Sequence, residues 1–420
     1  MFDINFRKAP RSAYLHIPFC YKRCFYCDFA IIPIGKNQKK SNAHENLTIE
    51  SYLEHLEEEI KISPKSNPLS TIYIGGGTPS ILSPYQINKL LSLLRDHFGI
   101  QEGAEMTIEI DPASFDINDL KEYINAGINR VSLGGQSFDN TVLEILGRTH
   151  NHKDLIEACE WINEFYKQGL LLSWNLDLIQ GIPKRTLFCW EKELKQAISI
   201  SAPHLSIYEL SVEEGTVFEA KQRKGELKLP PEEIALEMYR LTGKMLSEAG
   251  FSRYEISNYA LPGHASRHNR VYWSGAAWWG FGLGATSAPW GERVSKPRTM
   301  NKYFDWVKSQ KDEELKYYLK SKIKPNLDDQ ILVGLRRREG IDLESLTKDW
   351  GWNKKERELY INALMIKWKD FLSAGLLKKY SSGRICLTNP KGMELSNQIL
   401  IEMLLWWDDL PPDAVFESSL

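Results

Sequence analysis

The sequence predicts an α/β protein whose first half carries a parallel sheet and whose C-terminal end is a smaller helical, winged-helix-like module. Two observations carry the first part. Six short apolar segments alternate with amphipathic helical patterns over about the first 210 residues, and the distinctive polar residues fall just after those apolar segments. A third observation carries the second part: from about Pro325 the pattern changes to helices followed by a short hairpin. Six parallel strands can be wound as an incomplete (β/α) barrel or as an open doubly wound layer. In either case ligands gather at the C-terminal strand ends.

In order, the expected strands are Ala13–Ile17, Thr71–Gly75, Met106–Asp111, Arg130–Leu133, Leu172–Ile179 and His204–Leu210. The expected helices are Thr48–Lys61, Pro84–His97, Asn118–Ala126, Thr141–Leu146 continued by Lys153–Tyr166, and Leu187–Ser199. Downstream, helices are expected at Asp328–Arg338, Asp342–Asp349 and Lys354–Ala374. A hairpin follows over Gly375–Thr388, with its turn near Ser382-Gly383.

With 420 residues, 42% of them hydrophobic, the chain is long enough for about two or three domains and a sizeable core. A formal net charge of -2 gives no electrostatic case for nucleic acid or an acidic membrane. Residues 1–8 lack the apolar stretch of a leader, and no segment approaches the roughly 18 apolar residues of a membrane span, so a cytoplasmic protein is expected. Six sparse cysteines do not make a disulfide framework.

Three of those six are concentrated in Cys20-Tyr-Lys-Arg-Cys24-Phe-Tyr-Cys27. Three thiolates at this spacing can hold three corners of a four-iron cube, leaving the fourth iron open to an exogenous ligand. Zinc would ask for four protein ligands, and no nearby Cys or His completes a second pair. His16 alternates with Leu15 and Ile17 and reads as a wall residue of the strand. Cys159, Cys189 and Cys386 read as packing residues.

Residues spread over some 160 positions converge on one rim. Gly75-Gly-Gly-Thr-Pro-Ser80 follows the second strand, Glu109 and Asp111 close the third, and Gln136 follows the fourth. Arg148 lies after the next helix, and Asp177 lies near the tip of the fifth strand. Taken singly, the glycine run is a tight turn, Glu109 a salt-bridge partner, Arg148 a surface charge and Asp177 a cap. Together they offer donors and acceptors suited to an amino-carboxylate, a ribose and a sulfonium, the groups of S-adenosylmethionine. The glycine run is expected to leave backbone N–H groups bare for such a ligand.

The Cys-x3-Cys-x2-Cys loop at Cys20, Cys24 and Cys27 resembles the hallmark of the radical S-adenosylmethionine superfamily. Tyr14-Leu-His-Ile-Pro-Phe-Cys20, Gly75–Ser80, Val131–Phe138, Leu146-Gly-Arg-Thr-His150 and Asp177–Pro183 resemble, in order, signatures of the family that contains oxygen-independent coproporphyrinogen III oxidase and the HemW group of heme chaperones. The resemblance runs from about residue 12 to about residue 400. It implies an incomplete parallel (β/α)6-type barrel over residues 1–215, an extension over 216–324 and the winged-helix-like domain over 325–420. It also implies a [4Fe–4S] cluster on Cys20, Cys24 and Cys27. S-adenosylmethionine would sit among Tyr14, Tyr26, Gly76, Gly77, Thr78, Glu109, Gln136, Arg148 and Asp177, where reduction of the cluster yields a 5′-deoxyadenosyl radical. Glu109-Ile-Asp-Pro-Ala departs from the more usual Glu-Ala-Asn-Pro-Gly, so Glu109 transfers better than its neighbours.

Within that family three features favour a heme chaperone over the oxidase. Cys27 is followed by Asp28-Phe29 where the oxidase has a fourth cysteine, only nineteen residues precede Cys20, and His268-Asn-Arg-Val-Tyr-Trp273 resembles the His-Asn-x-x-Tyr-Trp motif of the chaperone group. By that resemblance His268, Asn269, Tyr272 and Trp273 would form the heme region, although His268 equally suits a backbone-bonded residue and the aromatics equally suit core packing. Thr286 stands where relatives often carry a histidine. A heme-accepting apoprotein and an electron donor for the cluster are the implied partners. Winged-helix modules also read DNA, but the one dense basic run, Arg336-Arg337-Arg338, is answered by Glu339 and Asp342, so no nucleic acid is expected.

Overall fold

The computed structural model describes residues 9–35, 47–289, 293–311 and 327–408, and the N-terminal segment read above for a leader lies outside them. All six expected strands form: β1 (Ser12–Ile17), β2 (Leu69–Gly76), β3 (Ile100–Ile110), β4 (Arg130–Gln136), β5 (Ser173–Gln180) and β6 (His204–Glu209). Each pairs in parallel with its neighbour in sequence, so the strand order never reverses. That choice settles the winding: a doubly wound layer needs a reversal, and a progressive order is a partial barrel.

Sequence periodicity did not mark the strands that extend this sheet. In the extension, β7 (Ser252–Arg253) and β8 (Asn258–Ala260) add antiparallel strands beside β6, while β9 (Trp279–Phe281) adds a parallel strand beside β1. The two edges are therefore β9 and β7, and the sheet stays open. Three residues are too short for an alternation signal, and β9 is held instead by the fully buried Trp279 and Phe281.

The barrel helices are α1 (Leu47–Ile62), α2 (Pro84–Phe98), α3 (Ile117–Ala126), α4 (Asn140–Leu146), α5 (His152–Lys167) and α6 (Leu187–Ser199). Their starts are chemically fixed. Ser83 with Gln86, Asp116 with Asp119, and Asn151 with Asp154 form reciprocal capping boxes, and Thr186 caps α6. Loss of one such cap costs about 1 kcal/mol. Their apolar faces, such as Leu90, Leu91 and Leu94 on α2 and Leu155, Ala158 and Ile162 on α5, close over the sheet in one core.

The extension adds α7 (Val217–Arg223), α8 (Glu232–Glu248), α9 (Arg267–Ser274) and α10 (Met300–Lys311). A buried ion pair fastens it to α1: Lys296 Nζ lies 2.9 Å from Glu59 Oε1, and Tyr303 donates to Glu59 Oε2 at 2.7 Å.

The C-terminal region runs α11 (Leu327–Leu335), β10 (Ile341–Asp342), α12 (Leu343–Asp349), α13 (Lys354–Lys367) and a hairpin of β11 (Leu377–Lys379) with β12 (Arg384–Leu387). Helix, strand, two helices and a wing is the winged-helix order. The expected single helix Lys354–Ala374 is broken at the fully buried Trp368, whose backbone leaves helical geometry (φ −88°, ψ 7°). This module has its own core around Trp352, Tyr360, Leu364 and Trp368. Its arginine run faces the extension: the Arg336 guanidinium lies over Trp273, the Arg337 backbone forms an antiparallel bridge with Glu255, and the Arg338 N–H donates to the Tyr254 carbonyl. Glu339 pairs with Arg270 of α9. Among the described residues no helix is long and apolar enough to cross a membrane.

Candidate functional site

The three motif cysteines occupy the loop that leaves β1. Phe19-Cys20 pairs in parallel with Ile32-Pro33, which folds the chain back on itself. The Phe25 N–H donates to the Leu146 carbonyl at 3.0 Å. The thiols of Cys20, Cys24 and Cys27 are free and half-buried, and all three line a cavity of about 100 Å³. Thr78 Oγ1 reaches Cys20 Sγ and Arg148 Nη1 reaches Cys24 Sγ, each at 3.5 Å. Burial pushes the Cys20 thiol up to about 12 and raises Cys27 as well. Thiolates in such a place need added positive charge, which metal coordination supplies. Among the described residues no three Cys, His, Asp or Glu side chains converge on a single-ion site. Three thiols spread around one cavity suit a cube that takes each thiolate on a different iron.

The glycine run makes room for this arrangement by close approach. A Cβ on Gly75 would lie 2.9 Å from the Glu109 carboxyl carbon, one on Gly76 2.6 Å from the His16 ring, and one on Gly77 2.9 Å from Cys20 Sγ. The expectation of bare N–H groups is not met. The N–H of Gly76 donates to Glu109 Oε2 at 2.9 Å, that of Gly77 to the Ile17 carbonyl at 2.8 Å and that of Thr78 to the Phe19 carbonyl at 2.8 Å. The loop binds its own neighbours because three side chains and strand carbonyls fill the space its glycines leave.

A second cavity of about 120 Å³ adjoins the first, sharing Gly77, Thr78, Asp111 and Arg148 with it. Glu109, Gln136, Arg148 and Asp177, four of the sequence-predicted residues, line it. Glu109 also accepts from Tyr73 at 2.8 Å, and burial lifts its carboxyl to about 7. Asp177 accepts from Asn175 at 2.8 Å and Ser132 at 3.2 Å, and burial lifts it to about 6. Gln136 holds a left-handed backbone (φ 66°) at a register shift between β4 and β5. A non-glycine residue there costs roughly 1–2 kcal/mol, a strain that turns β4 at the cavity wall.

Asp111 is the residue whose role the sequence left unassigned. Its Oδ2 accepts from Arg148 Nη2 at 2.7 Å and lies 3.7 Å from His150 Nδ1. Burial alone would raise this carboxyl, but the guanidinium beside it and His150 hold it at about 2. Arg148 also donates to the Gly134 carbonyl at 2.8 Å and to Tyr26 at 3.4 Å, so its head is fixed between both cavities. An Arg following a helix C-cap glycine, Gly147 (φ 74°), was the available signal for the turn, whereas Asp111 as its partner required knowing which strands are adjacent.

Other expected residues lie elsewhere. Tyr14 lines neither cavity: it faces the barrel interior, stacks on Tyr73 and bonds His16 Nδ1 at 3.0 Å. His268 is fully buried at the floor of the barrel, beside Thr71 near the start of β2. Gly76, at the cavity end, is five residues further on, about 16 Å along the strand. Its ring nitrogens lie 2.8 Å from Thr71 Oγ1 and 2.8 Å from Tyr272 OH, and burial brings the imidazole down to about 3. Ligating an iron would require breaking one of these bonds and carrying the ring out of the floor. Asn269 and Trp273 lie half-buried on the same helix, α9, and Thr286 Oγ1 bonds Ser295 at 2.9 Å. Of the remaining cysteines, Cys159 and Cys386 are buried as expected. Cys189 is not: it sits half-exposed in the first turn of α6, in contact with the capping Thr186.

Comparison with known proteins places this geometry. Residues 14–196 match the model of the radical SAM superfamily. The chain is 36% identical over 409 residues to the heme chaperone HemW of Synechocystis sp., covering 93% of this chain and 95% of that protein. The chain belongs to the HemW family. HemW of Bacillus subtilis is 33% identical, with 93% and 98% of the two chains covered, and HemW of Lactococcus lactis is 31% identical, with 96% and 99% covered. Coproporphyrinogen III oxidase (HemN) from Escherichia coli shares the fold, with a TM-score of 0.73 over 94% of this chain and 90% of that one at 23% identity. Membership of the superfamily implies the [4Fe–4S] cluster and S-adenosylmethionine. In this HemW-family chain the three thiols and the paired cavities are the residues that fit them.

Proposed function

We propose that this chain is a cytoplasmic heme chaperone: it binds a [4Fe–4S] cluster, S-adenosylmethionine and heme, and passes the heme to an acceptor apoprotein. The observation that carries the reading is a three-thiol cavity opening onto a second, carboxyl-lined cavity, in a chain that matches HemW proteins over almost their whole length. Cys20, Cys24 and Cys27 would hold three irons, and a cluster bound this way supplies electrons and one open iron position.

The remaining roles belong to the protein. Asp111 and the Gly134 carbonyl fix the Arg148 guanidinium between the cavities, where it faces a ligand carboxylate. Glu109 and Asp177, both close to neutral pH in their affinity for protons, suit the hydroxyls and sulfonium of S-adenosylmethionine, because either a hydrogen bond or a positive charge stabilises their ionised forms. Gln136 completes that wall.

Heme is assigned to the extension, residues 216–324, where α9 presents Asn269, Tyr272 and Trp273 around the buried His268. With both ring nitrogens engaged, His268 acts on heme binding through the placement of Tyr272. The test is one anaerobic preparation with its cluster rebuilt, titrated with heme and separately supplied with S-adenosylmethionine and coproporphyrinogen III. Saturable heme binding without decarboxylation supports the chaperone. Multiple turnovers with no specific heme binding would restore the oxidase reading.

A further inference from the structure

The five consecutive carbonyls from Cys27, the last cysteine of the cluster loop, to Ile31 are all taken by side chains, in strict alternation. Arg23 Nη1 donates to the carbonyls of Cys27 and Phe29, each at 3.1 Å, and Arg23 Nη2 donates to that of Ile31 at 3.2 Å. Between them, the Asp28 carbonyl accepts from Arg298 and the Ala30 carbonyl accepts from His16 Nε2 at 2.8 Å. A carbonyl cannot donate, so His16 carries its proton on Nε2. Its Nδ1 accepts from Tyr14, which fixes that tautomer. Residues 27–31 therefore run as a ribbon gripped on one side by a guanidinium inside the cluster loop and on the other by groups from β1 and from the extension.

We propose that Arg23 is the positioning residue of the cluster loop and that Arg298 closes the same clasp from outside the barrel. The inference rests on the cluster assignment at Cys20, Cys24 and Cys27. Arg23 sits between the first two cysteines and bonds the chain from the third onward, so one planar head fixes the spacing of all three thiols. Geometry sets the requirement: three acceptors four, six and eight residues away need a fork with several N–H groups. An ammonium at the same place offers three donors from one point and cannot span them. Arg298 lies beyond residue 196, where the superfamily model ends. Cluster retention in this chain thus depends on its extension.

The competing account is electrostatic, because a positive charge near Cys27 also favours its thiolate. Lysine separates the two. The experiment compares native protein with Arg23→Lys, Arg23→Met and Arg298→Met, all reconstituted anaerobically, and measures iron and sulfide content and the rate of cluster loss to a chelator. Circular dichroism of the cluster-free forms confirms an intact barrel. Cluster loss is expected to be about tenfold faster in Arg23→Met, nearly as fast in Arg23→Lys, and a few-fold faster in Arg298→Met. Native rates in Arg23→Lys would replace the clasp by a charge effect, and native rates in both methionine variants would overturn the proposal. A native protein that takes up no iron would instead remove the cluster assignment on which it rests.

Discussion

Glu109→Gln is the perturbation whose size the structure specifies best. The native carboxyl accepts from Tyr73 OH at 2.8 Å and from the Gly76 N–H at 2.9 Å, and burial lifts it from 4.5 to about 7. Below about pH 4.5 the group is neutral in both folded and unfolded chains. Between about 4.5 and 7 the folded chain keeps a proton the unfolded chain has lost, so stability falls as pH rises through that window and levels off above it. At about 1.4 kcal/mol per pH unit the full difference is ~3 kcal/mol, reduced to roughly 1–3 kcal/mol because the carboxyl borders a cavity open to water. Glutamine can still accept from Gly76 with its oxygen and donate to Tyr73 with its amide, so the variant removes the titration while keeping the contacts. Urea midpoints of native and variant protein, measured anaerobically from pH 5 to 8, should show the native declining more steeply. Infrared difference spectra between the two should show a protonated carboxyl at pH 6. Parallel slopes, or an ionised carboxyl at pH 5, would refute the reasoning.

Three further outcomes follow from the same geometry. Alanine at Cys20, Cys24 or Cys27 should abolish the four-iron complement, read by iron and sulfide analysis, while zinc bound stoichiometrically to native protein would contradict the donor-set argument. Arg148→Ala removes a charged donor fixed between the cavities and should weaken S-adenosylmethionine affinity by roughly ten- to a hundredfold in calorimetry; unchanged affinity would detach the rim from that ligand. His268→Ala should lower stability by about 2–4 kcal/mol, by leaving Thr71 and Tyr272 without their partner, yet leave heme affinity within a few-fold; complete loss of heme binding in a folded variant would make the imidazole a ligand after all.

Strands and helices of the barrel were legible because long parallel strands and capped amphipathic helices each leave a periodic trace. The six strands and six helices lie within a few residues of expectation except β3, which begins at Ile100. There Gln101, Glu102 and Gly103 break the apolar pattern before Met106 resumes it. The cysteine loop and the four charged or amide residues of the rim were legible for a different reason: strand ends in a parallel sheet converge, so position after a strand predicts position at the site. What stayed hidden depends on three-dimensional neighbours. Asp111 at the end of β3 meets Arg148 in the loop after α4, β9 joins β1 from some 260 residues away, and His16, read as a wall residue, also holds the cluster loop through Ala30. His268 stands next to aromatic residues in sequence, but Glu105 caps α9 by accepting from the His268 N–H at 2.9 Å, drawing the ring into the barrel floor.

The central claim is that the chain carries heme rather than transforming a porphyrinogen, and transfer tests it most directly. Reconstituted protein loaded with heme is mixed with an excess of heme-free acceptor protein, and the heme spectrum of each is followed after separation. The account predicts stoichiometric heme loading, movement of heme to the acceptor faster than its spontaneous dissociation into buffer, and no protoporphyrinogen from coproporphyrinogen III. Absence of saturable heme binding together with catalytic decarboxylation in the same preparation would contradict it.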